Sequence, residues 1–375
     1  LQLIVFTLVA AAFANIYLTQ PILPFLQQQF NADMVRVALT VSVVILGIAL
    51  TNLPFGFWAE RGAILPIVVT GGIMTALAGI VCATAQSLEM IIAARFVQGC
   101  FIPALTTCLA AYLAQNLPAE SLKVVMGSYV SATVLCGLGS RFIGGWLFTP
   151  DQWRYAFWVA AGLVLIATLL AFWGLPRASS NRPSPLTIRL RELFTRWDLL
   201  PIYGCAAGGM ALFASIFNFL PFRLTRPPFF LSTNEVTLLY LVYIIGIFLG
   251  PVAGKVSQRI GSGLTLIFGS AFTGVALVVL WIPSIMATII GLILLCFGFF
   301  AVHATAVGTL NSRLSSGQGR ANALYVLFYY LGGWLGITIC GPVYQWGGWG
   351  ALLICCALFT LLPFSAGIAE GKQSS

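Results

Sequence analysis

Charge is what this chain has least of. Asp, Glu, Lys and Arg make up 7% of its 375 residues, and His303 is the one histidine; a soluble domain carries about 25% charged residues. That scarcity excludes a water-soluble globular enzyme or binding module, because too little polar surface exists to cover a core. With 60% hydrophobic residues and a mean hydropathy of +1.00, the main solvent is lipid. Carboxylates are scarcer still, and none stands in the middle of an apolar run. Asp33, Glu89, Asp151 and Glu235 fall at one set of run ends, and Glu60, Glu120, Glu192, Asp198 and Glu370 at the other. An enzyme embedded in a membrane would need paired carboxylates, a metal cluster or a nucleophile–base pair, and His303 stands alone. A G-x-x-x-x-G-K-S/T phosphate loop and an H-E-x-x-H helix are both missing. No catalytic residue, no cofactor and no metal is therefore expected, and ATP-driven transport would need a nucleotide domain on another chain. The nine cysteines show neither metal spacing nor extracellular clustering and read as reduced packing residues. Basic residues outnumber acidic ones 18 to 9 but form no patch, so no nucleic-acid partner is expected.

What is present is a succession of apolar runs, each near the roughly 20 residues that cross a bilayer. They read as 2–26, 36–59, 64–85, 88–115, 121–148, 153–175, 199–222, 235–256, 262–284, 285–312, 320–344 and 348–369. The expected fold is all-α and integral to the membrane, with twelve transmembrane helices in two six-helix bundles. Residues 1–175 form the first bundle, 176–198 a linker and 199–375 the second. The chain opens on Leu rather than Met and is expected to be trimmed there; residues 1–25 are too long, and too polar at Gln20, for a cleaved signal peptide. The linker begins PRASSNRPSP. It continues with Leu186, Leu190, Leu193, Phe194 and Trp197 at helical spacing opposite Arg189, Arg191 and Arg196, which reads either as an amphipathic surface helix or as a partly ordered connection. With both termini cytoplasmic, twelve Lys and Arg lie on the cytoplasmic side and four outside, as the positive-inside rule requires.

The stretch from Leu88 to Asn116 organises the rest. It is long enough to span, yet Arg95 stands seven residues in, where a charge costs about 2.5–3.5 kcal/mol on insertion scales. Arg95 and Gln98 share a helix face, and Gly99 admits a neighbouring backbone. Arg141 is a second intramembrane cation, in Gly137-Leu-Gly139-Ser-Arg141-Phe-Ile-Gly144-Gly145. An arginine at such depth needs backbone carbonyls, water or an anion, so these two are candidates for substrate contact or for a structural role. His303, with an unperturbed pKa of about 6.5, is the candidate for proton coupling, against the alternative of a hydrogen-bonded packing residue. Polar side chains also gather on the first span (Asn15, Tyr17, Thr19, Gln20, ahead of Pro21 and Pro24). Further ones stand on the seventh (Asn218), the eighth (Tyr240, Tyr243) and the eleventh (Tyr325, Tyr329). The third, sixth, ninth and twelfth spans carry almost none and suit a lipid-facing scaffold.

These motifs carry a resemblance. Gly56-Phe-Trp-Ala-Glu60-Arg61 is similar to the G-x-x-x-D/E-R signature of the major facilitator superfamily, although Gly62-Ala-Ile-Leu65 replaces its G-R-R/K half. Gly250-Pro-Val-Ala-Gly254-Lys255-Val-Ser-Gln-Arg259 echoes it in the second half. Arg95-Phe-Val-Gln98-Gly99 resembles the superfamily's R-x-x-Q-G. The glycines around Arg141 resemble the glycine-rich fifth helix of its antiporters, with Ser140-Arg141 in place of Gly-Pro. A bacterial drug/arabinose-efflux-like subgroup has Gly-Arg at that place, and Arg141, together with Ala321-Asn-Ala-Leu-Tyr325-Val-Leu-Phe-Tyr329-Tyr330, resembles it. The resemblance implies a secondary transporter of a small organic solute working by alternating access, with proton-coupled efflux first. The alternatives are an organic anion such as a carboxylate metabolite or siderophore, or a facilitator without proton coupling. Substrate contact would fall to Arg95, Arg141, Gln20, Asn15, Asn218, Tyr240, Tyr325 and Tyr329, and gating to Glu60, Arg61, Lys255 and Arg259. The expected partners are the solute, the proton and the lipid of a bacterial inner membrane, with the chain a monomer.

Overall fold

The computed structural model describes residues 2–61, 63–117, 119–150, 152–175, 190–314 and 317–374. Among them no strand occurs. Two compact units emerge, one of Leu1–Pro185 with Ser232–Tyr240 and one of Leu186–Leu231 with Leu241–Ser375.

The first unit starts with α1 (Gln2–Ala14), which stops short of the expected span. Pro21 and Pro24 lack the N–H groups that would bond back along a helix. The chain therefore breaks over residues 15–19, makes a single 3-10 turn at Gln20–Ile22 and resumes as α2 (Leu23–Gln29). Within the break the N–H groups of Asn15 and Ile16 reach back only three residues, to Ala12 and Phe13. Next come α3 (Met34–Arg61), α4 (Ile64–Thr84) and α5 (Leu88–Leu105), the last started by the Ser87 side chain, which accepts from the Met90 N–H. Pro103 ends α5 early, and the fourth span continues as α6 (Thr107–Asn116). Then α7 (Ala119–Trp146) and α8 (Tyr155–Gly174) follow. A short helix from later in the chain, α11 (Thr233–Leu239), completes the unit, started by a reciprocal capping box between Ser232 and Glu235. Its place here departs from the expected division of the chain, in which the whole eighth span belongs to the second bundle. Gly145 of α7 provides the reason: a Cβ there would sit 1.9 Å from the Thr237 hydroxyl, so glycine lets α11 seat on α7.

The second unit holds α9 (Leu190–Thr195), α10 (Leu200–Leu224), α12 (Ile245–Ile260), α13 (Ser262–Trp281), α14 (Ile285–Ser312) and α15 (Gln318–Ser374). The last is two limbs parted at Gly348, whose φ of 67° only glycine adopts without strain. Gly332 and Gly336 of its first limb seat on α10, where a Cβ would fall 2.2 and 2.3 Å from the Ala207 and Ala211 carbonyl oxygens. Of the linker helix, Leu193 is buried and Trp197 is 85% exposed; residues 176–189 lie outside the described residues.

Eight described helical segments, α5 with α6 and the whole of α15 each counted once, are long and apolar enough to cross a membrane, and the bent α11–α12 pair makes nine. Separating the limbs of α15 and adding the broken α1–α2 and the 28-residue α7 brings the spans to the expected twelve. Two helices of the second unit extend past the apolar runs read in the sequence. α12 runs on to Ile260, and α15 continues past residue 369 through Glu370. Glu370, read as a carboxylate at a run end, lies inside the last helix. It is 6% exposed and pairs with Arg313 at 2.5 Å, an ion pair that the sequence pattern does not announce. Beside it Arg196 grips Asp198 through Nε to Oδ1 at 3.0 Å and Nη2 to Oδ2 at 2.5 Å. That hydrogen bond holds the Asp198 carboxyl below the usual carboxylate range.

Candidate functional site

In the first unit the interruption of helix 1 is the feature around which polar groups collect. Breaking a helix strands its carbonyl oxygens, and inside a membrane each stranded group costs several kcal/mol unless another part of the protein bonds it. Arg95 does so. Its Nη1 donates to the Asn15 carbonyl and its Nη2 to the Ile16 carbonyl, both at 2.5 Å, while Nε donates to the Thr40 carbonyl of α3 at 3.0 Å. Nη1 also reaches Gln98 Oε1 at 2.8 Å. Gln98 Nε2 in turn donates to Asn15 Oδ1 and to the Thr75 carbonyl of α4, and Asn15 Nδ2 to the carbonyls of Ala11 and of Ala160 on α8. Arg95 and Gln98 are 0% exposed and Asn15 1%. The spacing of three between Arg95 and Gln98 puts both on the α5 face toward the break, so one side of one helix joins α1, α3, α4 and α8. Of the two roles left open for Arg95 by the sequence, this geometry provides the carbonyl-bonded one.

The opposite side of the break meets α7. Ser140 Oγ accepts from the Tyr17 N–H at 3.0 Å, and Gly144 lies against Leu18, where a Cβ would be 1.8 Å from the carbonyl oxygen. Arg141, next to Ser140 and three residues before Gly144, donates from Nε to Gln20 Oε1 at 2.7 Å and from Nη1 to the Gly137 carbonyl at 2.6 Å. Its guanidinium lies over the Tyr17 ring at 4.0 Å and the Tyr240 ring at 5.2 Å. The expected site residues Arg141, Gln20 and Tyr240 are thus brought together, with Tyr17 as a fourth member. Tyr17 and Ser140 were both in view in the sequence. What the sequence withholds is that the first span opens ahead of Pro21, which lets Ser140 accept from the Tyr17 N–H and aims Tyr17 at the cation.

In the second unit His303 of α14 has Nδ1 3.0 Å from the Tyr325 hydroxyl on α15. Its ring lies nearly parallel to Phe299, with centroids 6.0 Å apart, and 5.2 Å from the Tyr329 ring. The eleventh-span tyrosines, four residues apart, therefore converge on the one histidine. Asn218 of α10 is 0% exposed; neither its Oδ1 nor its Nδ2 has a hydrogen-bond partner among the described residues. Lys255 and Arg259 are exposed on α12. The side chains of Glu60 and Arg61, the other half of the expected gate, lie outside the described residues.

Residues 5–337 match the family model of the Major Facilitator Superfamily. The chain belongs to that superfamily. Among its relatives is the inner membrane transport protein YnfM of Escherichia coli K12, 28% identical over 361 residues that cover 94% of this chain and 86% of YnfM. Another is the uncharacterized MFS-type transporter YybF of Bacillus subtilis 168, 27% identical over 355 residues, covering 90% of this chain and 85% of YybF. A solved bacterial homolog of the human lysosomal transporter Spinster, inward-facing and occupied, aligns with a TM-score of 0.81 at 13% identity, covering 99% of this chain and 96% of that one. At that identity the likeness shows the fold. The protein is a multi-pass membrane transporter of the superfamily, all-helical, and not an enzyme.

Proposed function

We propose that this transporter is a secondary carrier that exports a small organic solute from a bacterial cytoplasm in exchange for protons, and that His303 takes up and returns the proton. The carrying observation is the 3.0 Å pair between the His303 imidazole and the Tyr325 hydroxyl. No carboxylate stands mid-span in the sequence, and imidazole is the side chain whose ordinary pKa lies nearest neutral pH. Neutral imidazole can accept at Nδ1 from the phenol; imidazolium donates from both nitrogens. Protonation then reverses the sense of a bond that joins α14 to α15. A proton, like any ligand, shifts a conformational equilibrium only through such differential interaction. Both termini face the cytoplasm in this reading, and the chain works as a monomer.

The test uses inside-out vesicles acidified by respiration and followed with the pH-gradient dye ACMA. Ethidium, tetraphenylphosphonium, arabinose and succinate are added in turn. A solute that restores fluorescence in the wild type and not in empty vesicles is exchanged for protons. With His303→Gln that recovery is expected to fall to background while counterflow of the same labelled solute continues, and Tyr325→Phe is expected to slow it. Full recovery by His303→Gln removes the histidine from coupling.

Arg141 supports a second reading, in which the solute is an organic anion. A guanidinium walled by the Tyr17 and Tyr240 rings has a planar donor set of the kind carboxylates take in pairs, and an anion would take it in exchange for its bonds to Gln20 and the Gly137 carbonyl. Arg141→Gln is then expected to weaken succinate binding by about 10- to 100-fold in titration calorimetry, the weight of a charge-assisted hydrogen bond. Arg141→Lys should restore only part of the loss. Succinate binding unchanged in Arg141→Gln ends the anion reading.

A further inference from the structure

The turn between the limbs of α15 brings two thiols together. Cys340 lies eight residues before Gly348 and Cys356 eight after it, so each sits about 12 Å along its limb from the turn at 1.5 Å per residue. Their sulfurs are 4.0 Å apart and both side chains are buried. Cys340 is also within hydrogen-bonding reach of Ser215 on α10 and of Cys355, and Cys355 is half-buried rather than buried. Elsewhere thiols meet backbone: Cys82 donates to the Ile91 carbonyl and Cys108 to that of Phe55. A disulfide needs its sulfurs about 2.05 Å apart, so the two sulfurs must approach by about 2 Å to bond.

We propose that Cys340 and Cys356 are a redox-responsive pair, joined by a membrane-permeant peroxide into a disulfide that clamps the two limbs of α15 together. One thiol reduces hydrogen peroxide, its sulfur taking one oxygen to become a sulfenic acid while the other leaves as water. The second sulfur then attacks the sulfenic sulfur, the S–O bond breaks, and hydroxide departs with the attacking thiol's proton as a second water. Two thiols have lost two electrons to one peroxide. The half-buried Cys355 marks the side from which the oxidant reaches the pair. The consequence falls on the first limb, which carries Tyr325 and Tyr329 and is already held to α10 at Gly332 and Gly336. The disulfide fixes its far end as well. This inference stands apart from the transport reading, because its readouts need no solute.

The full chain, purified in nanodiscs, is treated with hydrogen peroxide, denatured, blocked with N-ethylmaleimide, digested and mapped by mass spectrometry. The expected product is a peptide pair linked through Cys340 and Cys356, lighter than the separate peptides by two hydrogens and released by a phosphine reductant. The thermal unfolding midpoint should rise by about 5 °C on oxidation and fall back on reduction, since a cross-link closing a short loop restricts the unfolded chain. Cys356→Ser should lose both effects. The proposal is overturned if Cys340 and Cys356 are both alkylated after a peroxide dose that oxidises Cys355. It is equally overturned if the bond joins Cys355 to Cys356, or if the midpoint does not move.

Discussion

Arg95→Ala is expected to leave little folded protein, with the monodisperse peak on size-exclusion chromatography in detergent falling to a small fraction of its wild-type height. The substitution removes the donors that reach the Asn15, Ile16 and Thr40 carbonyl oxygens and Gln98 Oε1. Each buried acceptor left unbonded costs about 1–3 kcal/mol, and the loss here is on the order of 5 kcal/mol or more, comparable with the whole stability of a typical domain. Charge alone does not replace the arginine. Lysine ends in one ammonium on a flexible stem, whereas the guanidinium is a rigid fork, so Arg95→Lys should recover only a minor part of the peak. A thermal midpoint for Arg95→Ala within about 2 °C of the wild type would mean that the break is held by other groups.

Gly144→Ala is the second large effect, and it tests packing rather than hydrogen bonding. The added methyl would fall 1.8 Å from the Leu18 carbonyl oxygen, which is backbone and has no side-chain rotation to give. Either α7 or the break must move, and forced overpacking costs about 1–3 kcal/mol or more. Moving α7 also pulls Ser140 Oγ from the Tyr17 N–H and Arg141 from Gln20. The expected result is a midpoint lowered by about 5 °C or more, read by tryptophan fluorescence on heating. Gly139→Ala is the control on the same helix. No described atom lies within 4 Å of its added methyl, and alanine is the better helix former by about 1 kcal/mol, so the midpoint should hold or rise. If Gly144→Ala matches Gly139→Ala, the close approach of α7 to the break is not needed for stability.

Much of this architecture was legible because a bilayer leaves few choices. Apolar runs of spanning length must be helices, and their number and order follow from reading the sequence. The interruptions were partly legible. Pro21 and Pro24 announce a bend in the first span, but not that the chain opens ahead of them, over residues 15–19. Arg95 stood out as a cation in lipid, and its spacing with Gln98 gave the face. Backbone carbonyls were one of the partners left open for it, but the sequence could not show which ones, since every residue owns a carbonyl and the stranded pair lies ahead of the prolines. Of the partners the sequence left open for such a cation, carbonyls, water or an anion, Arg95 meets a collar of carbonyls. Tyr325, Tyr329 and His303 were each visible, and helical spacing put the two tyrosines on one face. That they meet the histidine depends on how α14 packs on α15, which periodicity does not encode. The place of α11 was hidden likewise. Thr237 and Gly145 are far apart in the chain, and their fit is a matter of shape.

The break in the first span is bonded by a side chain from the fourth, and ribosomes make proteins from one end. A nascent chain that has released only its first three spans holds the stranded oxygens of residues 15 and 16 without the guanidinium that will later bond them. Until position 95 has left the translocon, the opening helix must keep those oxygens near lipid headgroups or water, or wind straight through. The bent form is therefore expected only once the fourth span has joined the first, which makes that span an internal chaperone for the opening helix.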